Sequence, residues 1–519
     1  MLTLENKADL SKRESSLSVI AGVDGVAVCT IISNILLQLY KTSRCCILNK
    51  GTVVFIMLIM IIAIPMILHP VLVASATNLS DNTGTIYNKR YNSSTLLPSN
   101  QSTGISSPEK NAVTLSGLFD NLGESGSWNQ LFQPALDELN RRHPDMYIQV
   151  QYTEVPYDET RIQLLDRLSN SNAIDLVSID QIWLGEFAGK GLLKNLTSEF
   201  EHWGRMSDLY QANLAGCVYN NTLYGLWLWT DIRGMWYWKD MLQQAGVDPE
   251  SLETWDGYVS SAMKLKQFFG DRVIQGAHLL GTSYDVDMWY PYLWMLGEEI
   301  LELRQGHPTK GIYWFPSFNN SEGIRAIDFL NQQVDAGIEP QSKHYWGTEF
   351  VNRSFPVMLE GSWIPYYFPE ESWPTLEQQI GFIPMFPVPN HTISTSTMMG
   401  GWELAIPSRS QNSALAWELI TIMAEPEILT PFLRDMGYLP TQQILGDGPS
   451  SLPLKDSVPY FEKMVSLIQL GKSRPSIPEY PEISEYIHQA IQQVYNRTAA
   501  SSKDAIDIAA AEAAKVLGW

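Results

Sequence analysis

At about 100–200 residues per domain, a chain of 519 residues is too long for one compact core, so two or more lobes are expected. Its 35 Lys and Arg stand against 56 Asp and Glu, a net charge of −21 that opposes any polyphosphate partner, since nucleic-acid binding depends on phosphate neutralisation. Aromatic residues make up 11% of the chain, with 17 Trp and 23 Tyr, and such rings with a polar tip suit sugar faces as well as protein cores.

Charge is unevenly placed. Residues 1–76 hold six Lys/Arg and four Asp/Glu, which leaves 29 against 52 for the remainder. Residues 1–50 form an N-terminal extension, expected to be cytoplasmic or to reflect a start codon set too far upstream; its apolar stretch is interrupted by Asp24. Residues 51–76 carry no charged side chain and follow Lys41, Arg44 and Lys50, a pattern expected of a transmembrane anchor or signal peptide with the C-terminal side outside. Ala74-Ser75-Ala76 fits a cleavage site, while the length of the apolar run favours an anchor, so both outcomes stay open.

Residues 77–111 are rich in Ser, Thr and Asn without hydrophobic periodicity and read as a linker. They hold N-x-[ST] sequons at Asn78, Asn92 and Asn100, and six more follow at Asn195, Asn220, Asn319, Asn352, Asn390 and Asn496. That number points to a glycoprotein, with an archaeal cell surface as a suitable setting. Cys29, Cys45 and Cys46 precede or border the apolar run, leaving Cys217 without an intradomain disulfide partner.

From residue 112 the pattern alternates. Residues 113–119 read as a strand, 128–142 as a helix with Leu131, Ala135, Leu136 and Leu139 on one face, 147–152 as a strand, 161–168 as a helix and 174–179 as a buried strand. This βαβα rhythm predicts an α/β fold with a mainly parallel sheet wrapped by helices. Ligands bind beyond the carboxyl ends of such strands, which places Asp120 and Asn121 near Asp180, Gln181 and Trp183 at one cleft. Either Asp serves equally as a helix N-cap.

In the run 217–258, Asn220-Asn221 reads as a turn able to adopt positive φ, Gly246 as the residue ending a helix, and Thr254 as the N-cap of the next. The same run, with Leu223, Tyr224 and Gly225, then Met235 to Asp240, then Thr254, Trp255 and Asp256, resembles the central signature of the family 1 extracellular solute-binding proteins. These feed sugars to ABC importers, and the likeness is to the maltose- and trehalose-binding kind. Trp227 stands in place of the family's Pro, and Trp238 in place of its Asn. Further resemblance lies in Asp175 to Val177 with Phe187 and Gly191, in Val357-Met358 with Gly361 to Trp363, in Gly400 to Trp402, in 437–441, and in Arg474-Pro475 with Tyr480.

The resemblance implies a two-lobe periplasmic-binding-protein-like fold (type II) over residues 112–519, its lobes joined by crossing hinge strands. Lobe 1 would span about 112–225 and 395–435, and lobe 2 about 226–394 and 436–519. It implies a monomeric, extracytoplasmic carbohydrate receptor that hands its ligand to ABC permease subunits, with the N-terminal segment at the membrane. By motif, Asp120, Asp180, Trp229, Asp231, Trp363 and Trp402 match the family's binding positions; Trp183, Trp227, Trp289 and Glu360 are weaker matches, and core packing is the alternative for every Trp. No cofactor or metal is implied. No phosphate loop, dinucleotide fingerprint, zinc-helix pair or nucleophile elbow occurs, so no enzyme is expected. The leading alternatives are a glycoside hydrolase using Glu298 and Glu299, which as adjacent helical residues would point apart, and a surface glycoprotein without a small ligand.

Overall fold

In this computed structural model the described residues are 95–97, 111–122, 127–170, 174–270, 272–277, 285–339, 345, 347–384 and 396–519. The chain divides into two compact units, Met1–Arg90 and Tyr91–Trp519, and every described residue belongs to the second. The N-terminal extension, the apolar run, most of the linker and the sequons at Asn78, Asn92, Asn100 and Asn390 lie outside the described residues.

The first sheet grows from the expected βαβα unit. Asn111–Asp120 runs parallel to Met146–Val155 on one side and to Leu176–Asp180 on the other. The intervening helix Trp128–Arg142 buries Trp128, Leu131, Phe132, Ala135, Leu136 and Leu139, the i, i+3, i+4 stripe of a helix lying on a sheet. Ser127 caps its start by accepting the Asn129 N–H at 3.2 Å, and Arg141 and Arg142 occupy the last turn, where cations suit the helix dipole.

The sheet is mixed, and parallel only through these three strands. Trp402–Ala405 joins antiparallel to Leu176–Asp180, and Gly225–Trp227 is antiparallel to it in turn. Gly225–Trp227 runs on into the second sheet and Trp402–Ala405 returns from it, so their direction is set by the crossing and not by a βαβ turn. At the other edge Thr95–Leu97 pairs antiparallel with Met146–Val155. That triplet falls inside the stretch read as linker; it carries the segment's adjacent leucines, and edge pairing uses backbone groups that polar flanks do not hinder.

The second sheet is organised on the ten-residue strand Trp229–Trp238, buried throughout. It pairs antiparallel with Val357–Gly361, Ile380–Pro384, Thr397–Gly400 and Leu439–Pro440. Gln275–Ala277 adds parallel to Val357–Gly361, and Gly471–Lys472 parallel to Thr397–Gly400. Helices Trp255–Phe269, Asp285–Met295, Ser321–Asp335, Tyr480–Tyr495 and Ser502–Val516 build one apolar core against this sheet. A second core carries helices Trp128–Arg142, Ser413–Met423 and Pro426–Met436 over the first sheet, and a third lies on that sheet's other face beneath Tyr157–Asn170 and Leu184–Gly189.

The two sheets are stitched by the same pair of chain segments. Gly225–Trp227 passes through Leu228 into Trp229–Trp238, and Thr397–Gly400 passes through Gly401 into Trp402–Ala405. Gly401 has φ +132°, and a side chain there would press on the Trp227 indole nitrogen and the Trp229 carbonyl. Gly191 also has positive φ, +68°, but faces open space. Gly401→Ala is therefore expected to destabilise the protein by more than the roughly 1–3 kcal/mol of backbone strain alone, and by more than Gly191→Ala, in chemical denaturation. Equal costs would show that the close approach at Gly401 is not a constraint.

Candidate functional site

The strand ends of the first sheet deliver two carboxylates to the crossing. Ser178 holds the Asp120 N–H through its Oγ at 2.9 Å, and the Trp128 indole donates to the Asp120 carbonyl at 2.7 Å. With this backbone fixed, the Asp120 carboxyl is buried and its Oδ1 has no hydrogen-bond partner within the protein. Burial, with Asp180 adding like charge, raises its pKa well above the ordinary carboxylate value. Asp180 is fully engaged. Its Oδ2 accepts from Tyr157 Oη at 2.7 Å, and its Oδ1 accepts from the Ile182 N–H at 3.3 Å and from Arg474 Nη2 at 3.0 Å. N-cap and ion-pair roles coexist in this one side chain.

Arg474 reaches in the other direction as well. Its Nη1 donates to both carboxylate oxygens of Asp287 at 3.2 Å, from a helix of the second core. Burial opposes its charge, but Asp287 and Asp180 outweigh that and raise its pKa. Further along the crossing, Asp231 accepts from the Gly400 N–H at 3.2 Å and is bonded by Arg233, whose guanidinium lies 4.5 Å from the centre of the Trp363 ring. Burial raises the pKa of Asp231 in spite of Arg233 and Arg474.

Three rings form a wall beside Asp180. Tyr157 and Trp183 are 5.4 Å apart, and Trp402 meets each edge-on at 5.8 Å. A cavity of about 230 Å³ opens beside two of these rings, lined by Tyr157, Trp183, Asp287, Arg474, Ser484 and Glu485 among others. Apolar ring faces with a few convergent, fixed polar groups are what a small polyhydroxylated ligand requires, since each hydroxyl that loses water needs a directed partner.

The sequence-derived candidates separate into groups. Asp120, Asp180, Trp183 and Trp402 gather on the first-sheet side, and Asp231 and the half-buried Trp363 sit on the second strand system with Tyr438 6.5 Å from Trp363. Trp227, Trp229 and Trp289 are at most 1% exposed. Trp229 packs among Trp128, Phe432 and Tyr438, and Trp289 between Tyr290 and Phe318. Glu360 is buried in Val357–Gly361, where its Oε1 accepts the Gly361 N–H at 2.8 Å. Glu298 and Glu299 follow the end of Asp285–Met295 instead of lying within a helix, and the exposed Glu299 is bonded to Lys472. No group of three or more His, Cys, Asp or Glu suited to a metal occurs among the described residues.

The sequence profile of the bacterial extracellular solute-binding protein family matches residues 135–449. The chain belongs to that family. Among curated relatives it is 22% identical over 312 residues to an arabinooligosaccharide-binding protein of Bacillus subtilis, covering 57% of this chain and 66% of that one. It is 27% identical over 234 residues to an arabinooligosaccharide-binding protein of Halalkalibacterium halodurans, covering 43% and 48%. The aligned region thus spans just under two thirds of the first and about half of the second. Among solved structures, an ABC transporter solute-binding protein from Thermotoga lettingae bound with α-D-tagatose matches with a TM-score of 0.62 at 22% identity, over 79% of this chain and 100% of that one. The cyclic α-maltosyl-1,6-maltose binding protein of Arthrobacter globiformis gives 0.62 at 20%, over 79% and 100%. These likenesses establish the two-lobe type II fold.

In this solute-binding protein the wall and the ion bridge use residues that sequence reasoning passed over: Tyr157, Arg233, Asp287 and Arg474. Arg474 was visible only as part of an Arg-Pro pair before a helix, and its partners lie 294 and 187 residues away. Local spacing carries no trace of either contact.

Glu403 was missed too. It lies opposite Ile179 and Trp227 in the first sheet, fully buried, with neither carboxylate oxygen partnered within the protein. Burial, with Asp180 second, raises its pKa well above the ordinary value. The folded state thus retains a proton that the unfolded chain gives up in the ordinary carboxylate range. The associated stability is present at low pH and is lost as pH rises from that range toward the raised value, at about 1.4 kcal/mol per pH unit. Glu403→Gln removes the ionisation and keeps the shape. Its melting temperature relative to the parent is expected to rise between pH 5 and 8 by calorimetry; a difference constant with pH would contradict a neutral buried acid.

Proposed function

We propose that this chain is the receptor of an ABC importer, capturing an uncharged sugar or oligosaccharide between its lobes and presenting it, unaltered, to permease subunits in the membrane. The observation that carries the reading is the cluster of Tyr157, Trp183 and Trp402 beside Asp180, of which Tyr157 and Trp183 line a cavity together with the paired charges of Arg474 and Asp287. Membership of the solute-binding family and the sugars named for its relatives and fold neighbours support it.

Asp120, Asp180 and Asp231 would accept sugar hydroxyls, while Trp363 and Trp402 would offer ring faces. Trp183, which lines the cavity, would add a further ring, whereas Trp227, Trp229 and Trp289 would act as buried scaffold. Lobe 1 is proposed at about 112–225 and 395–435 and lobe 2 at the rest of 112–519, acting as a monomer. Closure would turn on the backbone at Leu228 and Gly401, where both strands change sheets. The uncharged run at 51–76 would hold the receptor at the outer membrane face or direct its secretion.

Thermal-shift screening against arabino- and malto-oligosaccharides should reveal a stabilising sugar, because a ligand that binds only the folded state raises apparent stability by mass action. With the best sugar of that screen, Trp402→Ala and Trp363→Ala should lose roughly 1–3 kcal/mol of binding, about ten- to hundredfold in affinity, by calorimetric titration. Trp289→Ala should instead lose about 3–5 kcal/mol of stability and leave affinity unchanged where it folds. Unchanged affinity in folded Trp402→Ala and Trp363→Ala would remove both from the site. The sugar should be recovered intact; a cleaved product would favour hydrolysis.

A further inference from the structure

The segment from Arg474 to Pro478 belongs by its neighbours to the second core but rests on the first sheet's side of the cleft. It leaves Gly471–Lys472, which pairs with Thr397–Gly400, and leads into helix Tyr480–Tyr495, whose Tyr480 Oη donates to Tyr290 Oη at 3.0 Å. Ile477 and Tyr480 are buried in the second core. Four contacts bind the same segment to the other side. Arg474 Nη2 donates to Asp180. Gln181 Nε2 donates to the Arg474 carbonyl at 3.0 Å and to Ser476 Oγ at 2.6 Å. Ser476 Oγ donates to the Gly216 carbonyl at 3.3 Å. Helix Leu184–Gly189 meets the strap through two glycines: a Cβ on Gly185 would collide with the backbone of Ser476 and Ile477, and one on Gly189 with the Pro478 ring.

We infer that residues 474–478 form a latch that holds the two sides of the cleft together through protein groups alone. Arg474 is its electrostatic part, shared between Asp180 on one side and Asp287 on the other, each under a tenth exposed. A guanidinium fork suits this bridging role because its donors are fixed in one plane and can serve two carboxylates at once. Glycines at 185 and 189 are its steric part. Gly185 lies inside a helix without positive φ, so backbone conformation does not demand glycine there, and the approach of the strap does. In the two-state picture of a hinged receptor, the latch weights the closed state, and any ligand then adds to a closure already favoured.

The latch contacts involve no sugar, so its test stands apart from the sugar reading. Nitroxides on Asp166→Cys, in helix Tyr157–Asn170, and Asp328→Cys, in helix Ser321–Asp335, mark the two sides at exposed positions. The full-length chain would carry Ser at 29, 45 and 46 and keep buried Cys217. Pulsed electron paramagnetic resonance without added sugar should give one dominant short distance in the parent. Gly185→Ala, which leaves every charge in place and favours the helix, should raise the ratio of long to short distances about tenfold. Asp287→Asn should do the same by the separate electrostatic route, and Asp180→Asn, which retains capping ability, provides a further variant should either fail to fold. A parent distribution already dominated by the long distance, or folded variants with unchanged distributions, would overturn the latch.

Discussion

The burial of charge where the two sheets meet governs this molecule. Asp120, Asp180, Asp231, Asp287, Arg233 and Arg474 are each under a tenth exposed. Taking such groups out of water is costly, and their mutual attraction offsets the cost only if the geometry holds. The surrounding structure supplies that geometry from four directions: strand ends of the first sheet, the start of the central strand of the second, helix Asp285–Met295, and the strap after Gly471–Lys472. Removing one partner leaves another charge buried, so the site resists piecemeal change.

The crossing strands make this arrangement possible. The sheets exchange chain at Leu228 and Gly401, which sets Asp231 beside Gly400 and Trp402 beside Asp180 in register. Core packing and the buried charge cluster therefore use the same backbone. Fully buried Trp227 and Trp229 fill the space beneath the crossing, while half-buried Trp402 and Trp363 remain near its surface. Asp180, Asp231 and Asp287 are already held by arginines and, at Asp180, by Tyr157, so they would meet any ligand in ordered positions, which lowers the conformational cost of binding.

Much of the fold was legible where the signals are local. Helix 128–142 was readable to the residue from its apolar stripe, Asn220 and Asn221 do take positive φ at 49° and 59°, and Thr254 caps its helix by accepting the Gly257 N–H at 3.2 Å. The mixed sheet was not legible, because Gly225–Trp227 leads out to the second sheet and Trp402–Ala405 returns from it, so neither takes its direction from a βαβ turn. Periodicity reports how a segment is buried but not which strand lies beside it. The same limit applies at the site. Asp120 and Asp180 could be placed by the rule for strand ends, whereas Tyr157, Asp287 and Arg474 become neighbours only through the tertiary fold. A list of tryptophans could not separate Trp289, sealed in the second core, from Trp402 at the wall, since the difference is one of exposure and not of residue type.

The central claim is that a sugar is gripped at this charged crossing from both sides at once. A crystal structure of the protein with an arabino- or malto-oligosaccharide measures this most directly. The account predicts a sugar ring against Trp402 or Trp363, with hydroxyls on a carboxylate of the first-sheet side and on a group of the second. A sugar bound to one lobe only, or away from the crossing, would contradict it.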